Sequence, residues 1–266
     1  MVALQEAVTL PTFHPTLRPA YHSRLLDWGV WDLLPAPESQ WAAQVSTAED
    51  AAHAEIGDPT WKRLVYGKHD WLQHTERWVS AWLPQAAQGR FLEIGGGLCY
   101  ASALVKRLRP GWHVTATDVS IRYLQHHALR VGEFLEGPAD WYAAVDAASL
   151  PFEDQQFDRV FSQIVLYRVP RLDQALAEIR RVLRPGGRWL GIERASPWAL
   201  PWWEAERRWM AERTKMHGWM ERPATLRDWQ DRLRGLGGTA EYLRPHRRRG
   251  WLNAIRAEHV RLELAR

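Results

Sequence analysis

The stretch Phe91-Leu92-Glu93-Ile94-Gly95-Gly96-Gly97-Leu98-Cys99-Tyr100 constrains this chain more than any other. An apolar run carrying one acid ends in three glycines, and a helical pattern starts directly behind them. A glycine turn between a strand and a helix lets backbone amides approach a ligand closely, with the helix N-terminus pointing at it. On its own the triplet marks only a turn. The order of the features that follow gives it meaning.

Phe91–Ile94 reads as a short buried strand and Tyr100–Leu108 as a helix with Leu104, Val105 and Leu108 inward, closed by Pro110-Gly111. Trp112–Thr117 alternates as a second strand ending in Asp118. Ser120 is placed to cap a helix bearing Ile121, Leu124, Ala128 and Leu129. Trp141–Val145 is a third strand ending in Asp146, and Phe157–Ser162 a fourth. A helix through Leu172, Leu176, Ile179 and Leu183 stops at Arg184-Pro185-Gly186-Gly187, and Trp189–Ile192 is a fifth strand. Strands alternating with helices of this length predict right-handed βαβ units and a mostly parallel sheet, with its ligand at the carboxyl ends of the strands.

The flanks read differently. Pro11, Pro15, Pro19, Pro35 and Pro37 exclude one long N-terminal helix, leaving short helices around Tyr21–Leu33 and Ala48–Ile56. From Asp70 to Leu83, Trp71, Thr75, Trp78 and Trp82 recur at helical spacing, with Asp70 as cap and Pro84 as stop. Behind Glu193, the Trp- and Arg-rich stretch Ala195–Met220 reads as an insertion. Thr225 caps a helix Leu226–Arg234 closed by Gly235, Gly237 and Gly238. Thr239–Leu243 and Trp251–Ile255 are expected as an antiparallel sixth and seventh strand joined by the basic turn Arg244–Gly250.

Composition narrows the function classes. The 266 residues suffice for one large α/β domain with an appendage. The longest apolar runs fall short of the roughly 18 residues a membrane span needs, so none is expected. The opening Met1–Glu6 lacks the charged and apolar regions of a signal peptide. The lone Cys99 leaves no partner for an intrachain disulfide and fits a cytoplasmic location, and no Cys/His spacing predicts a metal site. The net charge of +4 is uneven: residues 1–90 sum to −3, residues 91–193 to 0 and residues 194–266 to +7. Of 17 tryptophans only three fall between residues 91 and 193, so the flanks carry what is individual to this chain.

A strand, a glycine turn and an acid ending the next strand describe a site for an adenosine-containing ligand. Asp118 lies 23 residues after Gly95, where a carboxylate can accept both ribose hydroxyls. A dinucleotide fingerprint needs a further glycine at the place of Tyr100, which counts against a dehydrogenase.

Here the chain resembles the class I S-adenosylmethionine-dependent methyltransferases, in particular the small-molecule group with a Leu-Pro-Phe signature. The matching blocks are Leu92-Glu93-Ile94-Gly95-Gly96-Gly97, Asp118-Val119-Ser120, Asp146-Ala147-Ala148-Ser149-Leu150-Pro151-Phe152, Phe157-Asp158-Arg159-Val160-Phe161-Ser162 and Val182-Leu183-Arg184-Pro185-Gly186-Gly187-Arg188. The resemblance implies that Glu93 organises the turn and engages the methionine amino group, while Gly95 and Gly97 line the methionine and ribose. It implies that Asp118 holds the ribose hydroxyls and Val119 packs on adenine. Asp146 would face the adenine amine, Ala147 would offer its amide to the ring, and Gln163 would border the transferable methyl. Many relatives carry a third glycine where this chain has Cys99, which predicts a slightly tighter pocket. Asp118 and Asp146 also stand where helix caps fit, but their strand-end positions favour ligand contact.

Methyl transfer from a sulfonium needs chiefly in-line alignment and exclusion of water; a base matters only where the acceptor must lose a proton. Tyr167 and Arg168 follow the fourth strand, where relatives often carry residues facing the methyl. Trp71, Trp78 and Trp82, with Trp198, Trp202, Trp203, Trp209 and Trp219, are candidates for a lid suited to an aromatic or cationic acceptor, although such tryptophans more often fill helix contacts. His22, His69, His74 and His217 are conceivable bases, and no residue is singled out as catalytic.

The resulting expectation is a Rossmann-like, seven-stranded, mostly parallel sheet with helices on both faces. Residues 1–88 form an N-terminal helical cap, residues 89–266 the methyltransferase domain, and 194–224 an insertion that serves as lid. The function expected is S-adenosylmethionine-dependent methylation of an O- or N-nucleophile of a small molecule, without metal. One alternative makes RNA or protein the acceptor through Arg247–Arg249, for which a solvated hairpin tip is the commoner explanation. Another is a cofactor-binding scaffold without turnover.

Overall fold

The computed structural model describes residues 15–34 except 20 and 22, residues 69–195, the helical residue 208, and residues 224–243 and 259–266. Nine strands form one sheet: β1 (Arg24–Leu25), β2 (Val30–Asp32), β3 (Gly89–Ile94), β4 (Trp112–Asp118), β5 (Trp141–Ala144), β6 (Phe157–Gln163), β7 (Leu183–Arg194), β8 (Thr239–Tyr242) and β9 (His259–Ala265). Their spatial order is β1-β2-β5-β4-β3-β6-β7-β9-β8. The strands from β2 to β7 run parallel, and β1, β9 and β8 pair antiparallel. The chain winds outward from β3 first through β4 and β5, then through β6 and β7, so the order reverses at β3. That reversal opens a crevice at the carboxyl end of β3, where open α/β sheets take their ligands.

The central strands are apolar because both of their faces are covered. On one face, Phe91, Val114, Phe161, Leu190 and Ile192 meet Val79 and Trp82 of α1 (His69–Trp82) and Leu104 and Val105 of α2 (Tyr100–Leu108). Farther along it, Ala116, Tyr142 and Ala144 meet Leu124 and Ala128 of α3. This helix is composite: Ile121–Tyr123, a π-helical segment Leu124–Ala128, and Leu129–Phe134. On the opposite face, Leu92, Ile94, Val160 and Trp189 meet Leu176 and Ile179 of α4 (Leu172–Val182) and Trp229 and Leu233 of α5 (Leu226–Arg234). Burying a large apolar side chain contributes about 1.5–3 kcal/mol. The deepest indoles also satisfy their N–H groups: Trp112 donates to Ala86 O at 2.9 Å, Trp189 to Ser162 Oγ at 3.1 Å and Trp229 to Arg194 O at 3.1 Å.

The expected caps are in place. Ser120 Oγ accepts the Tyr123 amide at 3.2 Å, and Thr225 forms a capping box with Asp228. Two expectations need correction. In place of a helix around Tyr21–Leu33, Arg24–Leu25 and Val30–Asp32 form a hairpin joined by a single 3-10 turn at Asp27–Gly29, and its second strand extends the sheet beside β5. Val30 and Leu33 supply the buried apolar positions there, and a left-handed Trp28-Gly29 pair (φ 69° and 73°) makes the turn. Among the described residues the sheet therefore has nine strands, two more than expected. The strand between β7 and β8 is His259–Ala265, whose Val260, Leu262 and Leu264 face the core, and the expected strand Trp251–Ile255 lies outside the described residues. The proposed helix at Ala48–Ile56, most of the stretch Ala195–Met220 and the turn Arg244–Gly250 also lie outside them.

Residues 15–19 and 21 run along the loop after β5. Leu17 bridges Phe152, the Arg18 amide donates to Pro151 O at 2.8 Å, and the Tyr21 hydroxyl donates to Ser149 O at 2.8 Å.

Candidate cofactor site at the carboxyl ends of the strands

The glycine turn leaves β3 in an unusual backbone path. Gly95, Gly97 and Cys99 take positive φ values of 63°, 53° and 50°. The two glycines share this backbone requirement and differ in what surrounds them. A Cβ on Gly95 would stand 2.7 Å from Val165 Cβ, so the loop after β6 occupies the space a side chain would fill. A Cβ on Gly97 would meet nothing nearer than Tyr123 Cε1 at 3.9 Å, which leaves open space on this face of the turn. Cys99 takes the left-handed conformation without being glycine, at a cost of roughly 1–2 kcal/mol. Its side chain is 2% exposed, and burial pushes its thiol well above the usual range.

Two carboxylates hold the turn from behind. Glu93, 4% exposed, accepts the Ser102 amide at 2.7 Å through Oε2, which ties the end of β3 to the first turn of α2. Burial raises its pKa to about 7 against the pull of Ser102 and the Ala101 amide. Asp118 accepts the Gly97 amide through Oδ2 and the Ser120 amide through Oδ1, each at 2.8 Å. This carboxylate therefore sits directly beside the open face of Gly97. A carboxylate is an acceptor through both oxygens, the chemistry a pair of vicinal hydroxyls calls for. Val119 follows, half-buried, and Thr117 Oγ1 donates to Glu93 O at 2.6 Å, locking β4 to β3.

Asp146 and Ala147 lie one strand farther out, just past β5, and are 5% and 8% exposed. The Asp146 carboxylate accepts the Ala148 amide at 2.8 Å and the Arg171 guanidinium at 2.6 Å, so in this structure it pins its own loop to the start of α4. Gln163 ends β6, with its Oε1 accepting from Thr75 Oγ1 of α1 at 3.0 Å. Glu93, Gly95, Gly97, Asp118, Val119, Asp146, Ala147 and Gln163 thus all lie at or just beyond the carboxyl ends of neighbouring strands.

The acceptor-side candidates behave unequally. Tyr167 is 2% exposed and belongs to the core, with the Arg168 and Arg194 guanidinium carbons 5.2 and 6.0 Å from its ring centroid. Its hydroxyl accepts from Arg168 Nε at 2.8 Å, and Arg168 is half-buried. Of the candidate lid tryptophans, Trp78 and Trp82 pack in the contact between α1 and the sheet, with Arg159 against the Trp82 ring at 5.6 Å. The Trp71 side chain and the tryptophans from 198 to 219 lie outside the described residues. His74 packs on Trp78 at 5.7 Å, and among the described residues no cluster of metal ligands occurs.

Sequence reasoning overlooked Glu193. It is the penultimate residue of β7 as Glu93 is of β3, and an acid beside an apolar run at both strand ends was the available signal. It is fully buried, and its Oε1 accepts the amides of Val165 at 3.2 Å and Leu166 at 2.9 Å. Burial raises its pKa to about 7 against those amides and the nearby Arg168 charge.

The reversal at β3, the glycine turn and a carboxylate at the end of β4 meet at the place where open α/β sheets take their ligands. Residues 92–190 match the family model described as "Methyltransferase domain". A ubiquinone/menaquinone biosynthesis C-methyltransferase of Bartonella tribocorum is 33% identical over 141 residues, covering 52% of this chain and 53% of the relative. A malonyl-[acyl-carrier protein] O-methyltransferase of Erwinia pyrifoliae is 37% identical over 106 residues, covering 40% and 38%. The chain spans about half the length of the curated relatives it matches most strongly. Among solved structures, the geranyl diphosphate C-methyltransferase of Streptomyces coelicolor, in complex with Mg2+, geranyl diphosphate and S-adenosyl-L-homocysteine, superposes with a TM-score of 0.62 at 16% identity, covering 87% of this chain and 99% of that one. At that identity the likeness is one of fold.

Proposed function

We propose that the chain is an S-adenosylmethionine-dependent methyltransferase acting on a small molecule. The observation that carries the reading is Asp118, held by the Gly97 and Ser120 amides beside the open face of the glycine turn. Asp118 receives the ribose hydroxyls, Gly95 and Gly97 line the methionine and ribose, and Val119 and Ala147 border the adenine. Glu93 acts mainly by fixing the turn, since its carboxylate already serves α2. Asp146 faces the adenine edge from within its contacts to Ala148 and Arg171. Gln163 borders the methyl, with Thr75 holding it from α1.

The bound sulfonium supplies the electrophilic methyl. The protein's part is alignment and exclusion of water, which asks no base of the chain when the acceptor is a neutral amine or an activated carbon. The curated relatives named above methylate carbon or oxygen, which adds carbon to the O- or N-nucleophile expected from the sequence. Among the described residues no helix is long and apolar enough to cross a membrane. The arginines behind an RNA reading, Arg247–Arg249, lie outside the described residues.

Calorimetric titration with S-adenosyl-L-homocysteine tests the reading. Saturable one-site binding supports it, and absence of heat at millimolar ligand refutes it. Transfer of labelled methyl from S-adenosylmethionine to any small acceptor by the purified chain separates an enzyme from a binding scaffold.

A further inference from the structure

We infer that Glu193 is a positioning residue that sets the gap between the acceptor-side loop and the glycine turn; the inference rests on the cofactor reading above. Glu193 touches no open surface, being fully buried, so it does not contact a ligand itself. Its Oε1 binds the amides of Val165 and Leu166, the first residues to turn away from the end of β6. Val165 in turn fills the space over Gly95, where a Cβ would stand 2.7 Å from its own Cβ. A continuous line thus runs from the end of β7, through two amides, to the turn at the end of β3.

The loop on this line is held in a costly shape. Ile164 lies in the left-handed region with φ 55°, although it is β-branched, and its amide donates to Ile192 O at 2.7 Å. Such a conformation persists only when its surroundings over-determine it. Glu193 follows Ile192 in β7, so two consecutive residues of one strand clamp consecutive residues of the loop. The second oxygen, Oε2, meets no hydrogen-bond partner among the described residues. A buried carboxylate with an idle oxygen is expensive, and a backbone that needed only capping would be served by a smaller acceptor. What the longer side chain adds is reach from β7 to the loop, across the edge of β6.

The test compares Glu193→Ala, Glu193→Gln and Val165→Ala with the wild type by S-adenosyl-L-homocysteine titration and by hydrogen exchange at Val165 and Leu166. Glu193→Ala is expected to weaken binding roughly tenfold and to speed exchange at both amides, the scale of losing a charge-assisted hydrogen bond. Glu193→Gln, which keeps a carbonyl oxygen for the amides, is expected to restore affinity to within about threefold. Val165→Ala is expected to weaken binding while the Leu166 amide stays protected. Folded Glu193→Ala with wild-type affinity overturns the inference, as does Glu193→Gln binding no better than Glu193→Ala. If the alanine variant does not fold, Val165→Ala decides: wild-type affinity there overturns the inference. Should the wild type itself fail to bind, the cofactor reading falls, and the exchange rates alone then decide whether Glu193 holds the loop.

Discussion

Asp118 Oδ2 and the Gly97 amide nitrogen lie 2.8 Å apart, so the residue proposed to receive the ribose also braces the turn that cradles it. Binding and preorganisation are therefore linked in one carboxylate. Asp118→Ala is expected to weaken S-adenosyl-L-homocysteine binding at least about tenfold, from the loss of charge-assisted hydrogen bonds of about 1.5–3 kcal/mol. Titration calorimetry reads this directly, and equal affinity in the mutant refutes the ribose assignment.

Gly95 admits no side chain for two independent reasons, its φ of 63° and the Val165 side chain above it. Gly95→Ala is expected to destabilise the protein by about 2–4 kcal/mol, combining overpacking with left-handed strain. Urea denaturation would show a lowered midpoint. Gly97→Ala shares the backbone penalty but has open space above it, so it is expected to cost less stability and more affinity.

Two buried glutamates give stability a pH dependence of defined sign. Glu93 and Glu193 are raised from an ordinary value near 4.5 to about 7, so the native state binds more protons than the unfolded chain between those limits. Their contribution is complete below the unfolded value and is lost as pH rises through about 7. His259 acts oppositely: burial and Arg194 lower it from 6.5 to about 4, so its contribution is present above 6.5 and lost as pH falls through about 4. One glutamate is thus offset over most of the window. The net slope is a loss of about 1.4 kcal/mol per pH unit at most below the histidine value, and up to about twice that just above it. Urea midpoints measured across this window should fall with rising pH, and Glu93→Gln should flatten the trend. A rising midpoint in the wild type would contradict the assignment.

Cys99 is expected to be chemically silent in the folded protein. It is 2% exposed, and its thiol is pushed up by burial with Glu93 and Asp118 nearby, so little nucleophilic thiolate forms at neutral pH. A thiol reagent should label it only after denaturation; rapid native labelling would show that the turn opens. Cys99→Gly relieves left-handed strain of roughly 1–2 kcal/mol but forfeits a buried side chain and adds chain entropy, so its net effect is expected within about 1 kcal/mol of zero.

Much of this was legible in the sequence between Phe91 and Glu193, because both periodicity and punctuation there are local. Tyr100–Leu108 and Leu226–Arg234 have the predicted bounds, each set by a cap or a glycine within a few residues. Arg24–Asp32 was misread because β2 is fixed by its pairing with β5, more than 100 residues away, and its three residues show no period of their own. The same holds for β9, where alternation over Val260, Leu262 and Leu264 was present but the apolar Trp251–Ile255 competed for the role. Within the site, the glycines and strand-end acids were legible by type and spacing. What was not legible is that Asp146 has an arginine partner, that Tyr167 is turned into the core, and that Glu193 holds the loop opposite. Those are relations between distant residues, visible only once the strands stand side by side.

The placement of β9 between β7 and β8 has a consequence for how the chain is made. Residues 259–265 leave the ribosome after β8, yet they must enter the sheet between β8 and the rest. β8 therefore has no sheet neighbour until they emerge, and Trp229 and Leu233 of α5, which share a cluster with Val260, Leu262 and Leu264, wait uncovered with it. The half of the sheet bearing the glycine turn needs none of these residues and can assemble during synthesis, while the β7 edge is closed only afterwards. A slow or interrupted finish exposes that open apolar edge to other chains, so the vulnerable stage is the last one and not the first.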